Sequence, residues 1–581
     1  MDYESRRSAW LNSDLVSEEE KEIIRKSDKE TQEDRFRKDL AFGTSGLRAK
    51  RGPGPNRRNV LTVRKTTIGV ADYLLAKYGD LVRSQGRTVS FDNRHNSILF
   101  RDQVIQVLIE KGIKVYTFHD PHPTPEVSYT IRKLFLAGGI RITASHNPKE
   151  YNGYKFYDKD GVEAAYEVNE DIEKTLASRP DELSIAYPPY EKKGEVIYLD
   201  ETNDFDDEFL EKERTTSLYK DFFVGKRRTK IIFSSENGCT SKLAPLLLKR
   251  LGYKVRTTPT QDYFDPDFSG TENPNPETDA SFTKSIEYRK SLNKQGEKYN
   301  LILNTDPDGD RAGIAFLDHQ GKIQRLTGNQ YGALLIDFLL GTRKRQKLLP
   351  RNGVVVDTFV TSSQGKQVAK SYHVKTRTTA TGFKYIGSLI RKRHEEEEES
   401  FLFGYEESYG ALLSSFVRDK DSLETLIALA DRNEYYLRQG KTLDIAYQEL
   451  SRRTGVYHNY QFSLVFVGEK GRLLRAEKRN ELRNHPFDEI GGNKVYQRED
   501  YLLRRVYHPE NSSFSTREEN DIDKTDCLKF FLKPAGFLAI RPSGTEPKRK
   551  IYLEFVDEDE NKLNDKKERI LKELKQKMDL E

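Results

Sequence analysis

Three aspartates occupy alternate positions in the segment 306–311, whose sequence is DPDGDR. An apolar run at 301–303 precedes the segment, so we expect it to lie where a strand ends. The proline and the glycine bend the backbone, which lets the carboxylates of Asp306, Asp308 and Asp310 converge on one point. Mg²⁺ prefers a few carboxylate ligands and leaves room for a phosphate group. The segment therefore predicts a magnesium site, and the alternative is an acidic turn after a strand.

A serine follows another predicted strand, in the segment 143–148, whose sequence is TASHNP. The small residue before Ser145 and the proline soon after it would present the hydroxyl group on a turn. His146 is adjacent, but adjacent residues rarely form a hydrolase dyad, because the base must reach the hydroxyl from elsewhere in the fold. On its own, this segment is compatible with a reactive serine or with an ordinary loop.

Two further segments follow predicted strands and carry groups that bind phosphates or sugars. The segment 541–547 (RPSGTEP) combines a guanidinium group, two hydroxyls and a glycine that permits close backbone approach, which together can cradle a phosphate. The candidate phosphate ligands are Arg541, Ser543, Gly544 and Thr545. In the segment 404–410 (GYEESYG), Glu406 and Ser408 could bind sugar hydroxyls. A plain turn is the alternative for each segment.

A glycine-rich loop near the N-terminus ends in an arginine. Its sequence at 42–48 is FGTSGLR, so Arg48 closes the loop. The lysine and the serine or threonine that end a P-loop are missing, which disfavours nucleotide binding. The alternative is again an ordinary loop.

The elements that must position these segments alternate between strands and helices. Strands are predicted at 88–92, 114–118, 140–143, 230–233, 254–257, 301–304, 354–357, 373–377 and 401–404. Helices are predicted at 98–111, 125–134, 242–251, 363–371 and 382–393. This alternation indicates α/β layers with mostly parallel or mixed sheets.

The two ends of the chain differ from this pattern. The first forty residues are predicted to form a helical lead-in. Strands at 456–467, 537–540 and 551–555, followed by a charged helix from about residue 560, predict an α+β domain at the other end. We therefore predict four domains, at 1–205, 206–320, 321–455 and 456–581.

Composition excludes several classes of protein. The net charge is +5, with 98 basic and 93 acidic residues interspersed, so no basic arm indicates a nucleic-acid partner. The small excess of positive charge would attract an anionic substrate weakly. The two cysteines, Cys239 and Cys527, form no CxxC pair, which favours a reducing cytoplasm. Neither a secretory signal nor an apolar run of about 18 residues is visible, so we expect no membrane partner.

Taken together, the motifs resemble the α-D-phosphohexomutases, a family that includes phosphoglucomutases and phosphomannomutases. The order FGTSGLR, TASHNP, DPDGDR, GYEES and RPSGTEP is that of the family. The resemblance runs nearly end to end. Segments such as 265–276 (DPDFSGTENPNP) and 381–384 (TGFK) look like the long bacterial phosphoglucomutase and phosphopentomutase branch.

The resemblance implies three α/β domains with mixed sheets and a C-terminal α+β lid domain around a central cleft. It implies an intramolecular phosphotransferase that interconverts the 1-phosphate and the 6-phosphate of glucose, mannose or both. Mg²⁺ would be the cofactor, and glucose 1,6-bisphosphate or an equivalent sugar bisphosphate would be the activator and intermediate. The partner would be a phosphosugar, and the chain would be a monomer or a homodimer.

The resemblance also implies a role for each candidate residue. Ser145 would carry the phosphoryl group and bind Mg²⁺ together with the three aspartates. Arg48 and Lys155 would assist proton transfer or stabilise charge near it, and His146 would support the loop. Phosphate binding is implied for Arg541, Ser543, Gly544, Thr545, Arg311 and Lys384, and sugar binding for Glu406 and Ser408. The lid would exclude water, because a phosphoserine exposed to water is lost to hydrolysis.

The sequence departs from the family pattern at two places. Some relatives place a histidine two residues beyond the sugar-binding serine, and this chain has Gly410 there. General acid–base chemistry would then fall on Arg48, on Lys155 or on an unidentified group. The segment 235–238 (SENG) also differs from the His-Gly turn of many relatives. In 91–97 (FDNRHNS) the usual aspartate and arginine are present, and we expect them to brace the active-site loop.

Other functions are compatible with the same motifs. The first is a phosphopentomutase that interconverts the 1-phosphate and the 5-phosphate of ribose or deoxyribose. The others are a synthase of glucose 1,6-bisphosphate, a phosphatase, and an inactive binding or scaffold protein that keeps the fold.

Overall fold

A computed structural model gives the structure of the chain. It describes residues 2–41, 46–178, 181–184, 194–219, 226–395, 399–466, 477–478, 480–516, 522, 524–542, 548–556 and 560–579. The chain divides into two compact units. The first comprises Met1–Gly328 and Gly382–Leu443, and the second comprises Asn329–Thr381 and Asp444–Glu581.

The first unit begins with three short helices, as the sequence predicts. They are α1 (Tyr3–Asn12), α2 (Glu18–Lys26) and α3 (Lys29–Phe36). Side chains of Asp2, Ser17 and Asp28 accept backbone N–H groups at the three N-termini, which stabilises each first turn. The helices pack around Trp10 and Phe36, whose rings meet edge to face.

A mixed six-stranded sheet follows. Its strands are β1 (Leu47–Lys50), β2 (Arg87–Phe91), β3 (Val115–Thr117), β4 (Gly139–Ile142), β5 (Tyr151–Tyr157) and β6 (Val196–Tyr198). Its helices are α4 (Val60–Tyr78), α5 (Leu81–Gln85), α6 (Ser97–Glu110), α7 (Thr124–Lys133) and α8 (Tyr166–Ala177). The order is β1-β5-β4-β2-β3-β6. The strands β4, β2, β3 and β6 are parallel, whereas β5 and β1 run antiparallel to their neighbours.

Helix α9 (Asp204–Arg214) leads to a second mixed sheet in the same unit. Its strands are β7 (Lys230–Ser234), β8 (Lys254–Thr257), β9 (Leu301–Thr305), β10 (Ala312–Leu317) and β11 (Ile323–Arg325), and its helices are α10 (Leu243–Arg250) and α11 (Thr283–Lys294). The order is β11-β10-β9-β7-β8. Strand β10 turns back antiparallel to β9, so the turn between them lies at the carboxyl end of a buried parallel strand.

The next part of the chain contributes elements to both units. In chain order they are α12 (Gly328–Arg345), β12 (Gly353–Thr358), α13 (Gln364–Ser371), β13 (Lys375–Thr379), α14 (Phe383–Glu395), β14 (Ser400–Tyr405), β15 (Ala411–Leu412), α15 (Ser422–Arg438) and α16 (Leu443–Thr454). In the first unit, β14 and β15 form a short antiparallel pair. In the second unit, β12 and β13 are parallel.

The second unit ends in an eight-stranded antiparallel sheet with one long helix. The elements are β16 (Tyr457–Val465), β17 (Glu489–Ile490), β18 (Asn493–Asp500), β19 (Arg505–His508), β20 (Ser513–Thr516), β21 (Leu528–Leu532), β22 (Gly536–Pro542), β23 (Lys548–Val556) and α17 (Glu560–Lys577). The order is β16-β23-β22-β21-β18-β19-β20, with β17 on β18. Leu563, Ile570 and Leu574 of α17 join the core that this sheet forms.

The architecture confirms the predicted fold class of α/β layers with mixed sheets and a sheet-rich C-terminal region. The predicted strands and helices appear within a few residues of their expected bounds, for example β9 at Leu301–Thr305 and α6 at Ser97–Glu110. The sequence did not predict β1, β5, β6, β10, β11, β15 or β17–β21. No helix in the described part of the chain is long and apolar enough to cross a membrane.

Candidate active site

The three aspartates converge in the turn between β9 and β10. Asp306, Asp308 and Asp310 are buried, and an oxygen of each lies within 4.8 Å of the others. Gly309 has a φ of +71°, a backbone conformation that glycine adopts at little cost. The N–H groups of Asp310 and Arg311 donate to Oδ1 of Asp306 at 3.1 and 3.0 Å. The turn therefore orients all three carboxylates toward one point.

Ser145 lies beside this turn, at the end of β4. Its Oγ donates to Oδ2 of Asp306 at 3.0 Å and lies 3.1 Å from Nδ1 of His146. Its φ is +53°, which is uncommon for a residue other than glycine and is typical of functional sites. The serine of the first sheet and the aspartates of the second sheet thus form one site.

Arg94 fixes the backbone of the Ser145 loop. Its buried guanidinium group donates to the carbonyl oxygens of Ser145, Asn147 and Pro148, the last at 2.8 Å. The carboxylate of Asp92 pairs with the guanidinium at 3.3 Å. Through these contacts Asp92 and Arg94 brace the Ser145 loop, as the sequence of 91–97 predicts.

The aspartate turn is supported from two sides. Thr124, the first residue of α7, donates its N–H to the Asp308 carbonyl at 2.8 Å and its hydroxyl to Asp308 Oδ2 at 3.2 Å. From the 235–238 turn, Gly238 approaches Pro307 so closely that an added Cβ would lie 2.4 Å from Pro307 Cα. The sequence of this turn differs from the family pattern, but its backbone still packs closely against the aspartate turn.

Two buried lysines pair with the aspartates. Nζ of Lys155 lies 3.7 Å from Asp308 Oδ2 and 3.5 Å from Asp310 Oδ2, and Nζ of Lys420 lies 3.0 Å from Asp310 Oδ2. Burial raises the pKa of Asp308, but Lys155 and Arg141 outweigh it and hold that pKa well below its usual range. Burial lowers the pKa of Lys420, but Asp310 and other nearby carboxylates raise it well above its usual value. Lys420 is thus held as a cation at the site.

The segment with Glu406 lies beside the same lysine. Oε1 of Glu406 accepts the N–H of Gly382 at 2.9 Å, and Gly410 forms a β-bridge with Arg311 of the aspartate turn. A Cβ added at Gly410 would lie 2.2 Å from Cδ of Lys420. The lysine side chain therefore fills the space beside the position at which some relatives carry a histidine.

The other predicted site residues divide between the two units. In the first unit, Arg48 donates to Asn147 Oδ1 at 3.0 Å, and Arg311 pairs with Glu277 at 2.9 Å. Ser408 is half-buried in the turn after β14, and Lys384 is buried near the start of α14.

In the second unit, Arg541 is on β22, and its Nη2 donates to the Tyr552 hydroxyl at 2.8 Å. Ser543, Gly544 and Thr545 lie outside the described residues.

The donor set of the aspartate turn fits a hard divalent cation. Burial and the charges of Asp308 and Asp310 raise the pKa of Asp306 well above its usual range. Oδ1 of Asp308 and Oδ1 of Asp310 have no hydrogen-bond partner among the described residues. Buried oxygens of this kind are costly unless they are paired or bind a metal ion. Carboxylates alone, with no thiolate or thioether among them, match the ligand preference of Mg²⁺.

Sequence reasoning missed Lys420 and the roles of Thr124 and Thr143, whose hydroxyls donate to Asp308 Oδ2 at 3.2 and 3.3 Å. Lys420 occurs in the segment RDKD at 418–421, where alternating charges indicate an exposed turn more readily than a buried ion pair. Its role depends on contact with Asp310, which is 110 positions earlier in the chain. Thr124 carried a signal, because it lies in the segment 123–126 (PTPE), which also resembles the family.

Three family models match most of the chain. They are described as Phosphoglucomutase/phosphomannomutase, alpha/beta/alpha domains I, II and III, and they match residues 39–182, 211–319 and 327–453. A phosphoglucomutase of Staphylococcus haemolyticus is 35% identical over 532 residues, which cover 90% of this chain and 91% of the relative.

Solved structures share the fold over nearly the whole chain. The phosphoglucomutase pp63/parafusin of Paramecium, in its open form, has a TM-score of 0.64 and 19% identity, with 93% of this chain and 95% of that chain covered. A variant N-acetylphosphoglucosamine mutase of Aspergillus fumigatus, in complex with glucose 1,6-bisphosphate, has a TM-score of 0.50 and 13% identity, with 92% and 95% covered.

The family models, the 35% identical relative and the convergence of serine, aspartates and lysines in one buried site agree with one another. The chain belongs to the α-D-phosphohexomutase family, and it is a phosphosugar mutase, an isomerase of carbohydrate metabolism.

Proposed function

We propose that the chain interconverts the 1-phosphate and the 6-phosphate of glucose, mannose or both, through a phosphoserine at Ser145 and a sugar 1,6-bisphosphate. The observation that carries the proposal is the 3.0 Å contact between Ser145 Oγ and Asp306 Oδ2. It joins a group that can carry a phosphoryl group to a set of carboxylates that fits a divalent cation. The phosphoglucomutase name of the 35% identical relative supports glucose as a substrate.

In the forward reaction, the bond between phosphorus and Ser145 Oγ breaks, and a bond forms between phosphorus and the free hydroxyl of the sugar monophosphate. The hydroxyl loses its proton to a nearby base, the departing Ser145 Oγ takes up a proton, and the product is a sugar bisphosphate. After the bisphosphate reorients, Ser145 Oγ gives up that proton as it attacks the other phosphate, the bond to the sugar oxygen breaks, and that oxygen takes up a proton. Phosphoserine and the isomeric monophosphate are then restored.

Some side chains around Ser145 stabilise negative charge, and others are candidates for proton transfer. Lys155 and Lys420 are buried beside Asp308 and Asp310, where they stabilise negative charge on the phosphoryl oxygens. Arg48 reaches the Ser145 loop through Asn147. Lys155 and Arg48 are the candidates to hold the moving proton. Lys420 fills the space beside Gly410 and is held as a cation, so it would stabilise charge there rather than accept a proton.

Asp306, Asp308, Asp310 and an oxygen of phosphorylated Ser145 would hold Mg²⁺. The ion would supply electrostatic stabilisation of the charge on the transferred phosphoryl group. The raised pKa of Asp306 supports this arrangement, since burial and its carboxylate neighbours disfavour its charged form without a cation.

The remaining predicted residues would bind the ends and the ring of the substrate. Glu406 and Ser408 would bind ring hydroxyls that both orientations of the bisphosphate present. Phosphate binding is proposed for Arg541, Ser543, Gly544 and Thr545 in the second unit, and separately for Arg311 and Lys384 in the first. Glucose 1,6-bisphosphate would serve as activator, and its presence in the Aspergillus fumigatus complex supports that choice.

The test is a mutase assay on glucose 1-phosphate with Mg²⁺ and a trace of glucose 1,6-bisphosphate. Mannose 1-phosphate and ribose 1-phosphate are assayed in parallel, and inorganic phosphate is measured in each reaction. We expect the highest kcat/KM for a hexose phosphate, with no accumulation of inorganic phosphate. Rapid ribose 5-phosphate formation with little hexose turnover would replace the proposal by a phosphopentomutase. Phosphate release without isomerisation would indicate a phosphatase, and inactivity on all three would favour a binding protein.

A further inference from the structure

A second group of potential metal ligands lies in the first unit, apart from the aspartate turn. It consists of His122, Glu126 and Asp206, whose ligand atoms lie within 4.8 Å of one another, and we call it the histidine–carboxylate cluster. His122 immediately precedes the prolines and the threonine that begin α7, Glu126 is in the first turn of that helix, and Asp206 is in the first turn of α9. None of the roles proposed for the mutase reaction uses these three side chains.

The environment of the Glu126 carboxylate indicates that this cluster binds a ligand. The residue is fully buried, and neither carboxylate oxygen has a hydrogen-bond partner among the described residues. A buried carboxylate without a partner is costly, and proteins usually pair such a group, protonate it or use it to bind a metal ion. In this cluster, it lies beside an imidazole and a second carboxylate.

The orientation of His122 favours a metal ion. Its Nδ1 lies 2.9 Å from the Asp120 carbonyl oxygen, so Nδ1 carries the proton and donates it there. In the neutral ring, the lone pair is then on Nε2, which lies 3.2 Å from Asp206 Oδ1. Metal-binding histidines are commonly oriented by such a second hydrogen bond to a carbonyl group. The Phe118 ring stacks on the imidazole at 4.1 Å and fixes its plane.

The spacing and the access also fit a metal ion. Two ligands of a tetrahedral Zn²⁺ ion, each about 2.1 Å from the metal, are about 3.4 Å apart. The 3.2 Å between His122 Nε2 and Asp206 Oδ1 is close to that value. The Asp206 side chain keeps 20% of its surface exposed, which gives an ion and a fourth, water ligand a route to the cluster. One nitrogen and two carboxylate oxygens suit Zn²⁺ better than Mg²⁺ or Ca²⁺.

We propose that His122, Glu126 and Asp206 form a second metal site that takes a divalent transition-metal ion such as Zn²⁺. The site would join the start of α7 to the start of α9. It would also support the aspartate turn indirectly, because Thr124, which lies between two of the ligands in sequence, donates to the carbonyl and carboxylate of Asp308. Its role is therefore structural, and it does not require that the proposed mutase reaction be correct.

The alternative is a cluster without a metal ion, in which the side chains bind protons instead. Burial lowers the pKa of His122, but Glu126 and Asp206 outweigh it and raise that pKa to about 9, while burial raises the pKa of Glu126 to about 8. Without a metal ion the cluster therefore binds protons at neutral pH. A metal ion must displace protons, so binding should release them and should weaken as the pH falls.

The test measures metal content and proton release, with no need for activity. The full chain is stripped with a chelator, dialysed into excess Mg²⁺ and titrated with ZnCl₂ in a weakly buffered solution. Glu126→Gln and His122→Gln are compared with the wild type. Glu236→Gln is the matched control, since Glu236 is equally buried and has a pKa raised to about 8 by burial, but its carboxylate accepts hydrogen bonds from Ser234, Gln261 and Asn304. Circular dichroism checks that each variant is folded.

We expect the wild type and Glu236→Gln to bind one more equivalent of Zn²⁺ than either cluster variant, with proton release. The affinity of the variants for that equivalent should fall about 100-fold or more, because each has lost a direct ligand. Comparing variants isolates this site even if Zn²⁺ also enters the aspartate turn. Equal stoichiometry and affinity in all four proteins would overturn the proposal. The proposal would also be overturned if the folded wild type neither binds Zn²⁺ nor gains thermal stability from it. The cluster would then bind protons and no metal ion.

Discussion

The hydroxyl of Ser145 donates a 3.0 Å hydrogen bond to Asp306, although the two residues are 161 positions apart and lie at the ends of strands in different sheets. The contact exists because Ser145 has a left-handed backbone conformation and Asp306 closes the β9–β10 turn. The proposed phosphoryl transfer needs the carrier group and its charge-stabilising groups in one place, so under this proposal the position of each strand end matters to the reaction.

Replacing Asp308 by asparagine should remove most of the Mg²⁺-dependent activity. Asparagine keeps the size of the side chain but removes a charge that Lys155 and Arg141 stabilise. We expect kcat to fall about 100-fold or more, with little change in the unfolding midpoint. Asp318→Asn is the matched control, because Asp318 accepts backbone N–H groups in the β10–β11 turn of the same sheet. Full activity of Asp308→Asn in excess Mg²⁺ would refute the metal assignment.

Adding a methyl group at Gly410 should lower activity through Lys420. The new Cβ would lie 2.2 Å from Lys420 Cδ, so the side chain must move away from Asp310. We expect Gly410→Ala to reduce kcat about 10- to 100-fold. Gly404→Ala on the adjacent strand is the control, since its nearest contact is Ile386 Cγ2 at 3.0 Å. If both variants behave alike, Lys420 has no special role in the reaction.

Arg94→Lys should slow the reaction without greatly changing KM. Lysine keeps the charge but loses the planar guanidinium group that binds three carbonyl oxygens of the Ser145 loop. We expect kcat to fall about 10- to 100-fold, because a loosened loop misplaces the phosphoryl carrier. Arg87→Lys is the control. Arg87 is also buried and also binds backbone carbonyls, but it lies at the opposite end of β2. An unchanged kcat for Arg94→Lys would contradict the bracing role.

The stability of the wild type should fall as the pH rises from about 4.5 to about 8, in part because of Glu236. Burial raises the pKa of Glu236 from 4.5 to about 8, so the folded state binds a proton that the unfolded state has lost in that range. Glu236→Gln removes this dependence and should stabilise the protein, relative to wild type, more at about pH 8.5 than at about pH 5.

The effect of Glu236→Gln is measured as the shift of the unfolding midpoint at each pH, with the exposed Glu287→Gln as control. The size of the pKa shift implies a contribution of the order of a few kcal/mol. If the midpoint shift caused by Glu236→Gln is the same at both pH values, the raised pKa is wrong.

Local sequence patterns were sufficient to predict much of the fold and the order of the site motifs along the chain. The strand before DPDGDR and the strand before TASHNP were predictable because apolar runs end in turn-forming residues there. The antiparallel strands β5 and β10 were not predicted, since each follows a turn of the candidate active site whose composition obscures the strand pattern. Strands β17–β20 are short or mostly polar, which weakens the alternation on which prediction depends. Strand β21 (LKFFL) is apolar and buried, so its pattern was a signal that the prediction did not use. The domain boundaries after residues 205, 320 and 455 stay predictions.

The site residues that the sequence could not reveal are those whose roles depend on long-range contacts. Lys420 is unremarkable in sequence, and only its approach to Asp310 and Gly410 places it at the site. The pairing of His122 with Asp206 likewise joins positions 84 residues apart. Motif resemblance identifies residues that are adjacent in sequence, whereas such partners require the folded chain.

The most direct test of the central claim is transfer of label from ³²P-labelled glucose 1,6-bisphosphate to the dephosphorylated protein in a single turnover. The labelled peptide is identified by mass spectrometry, and glucose 1-phosphate or glucose 6-phosphate is then added to chase the label. We predict that the wild type takes up label on Ser145 and returns it to the sugar, and that folded Ser145→Ala takes up none and has no mutase activity. Label on another residue, or mutase activity in Ser145→Ala, would contradict the account.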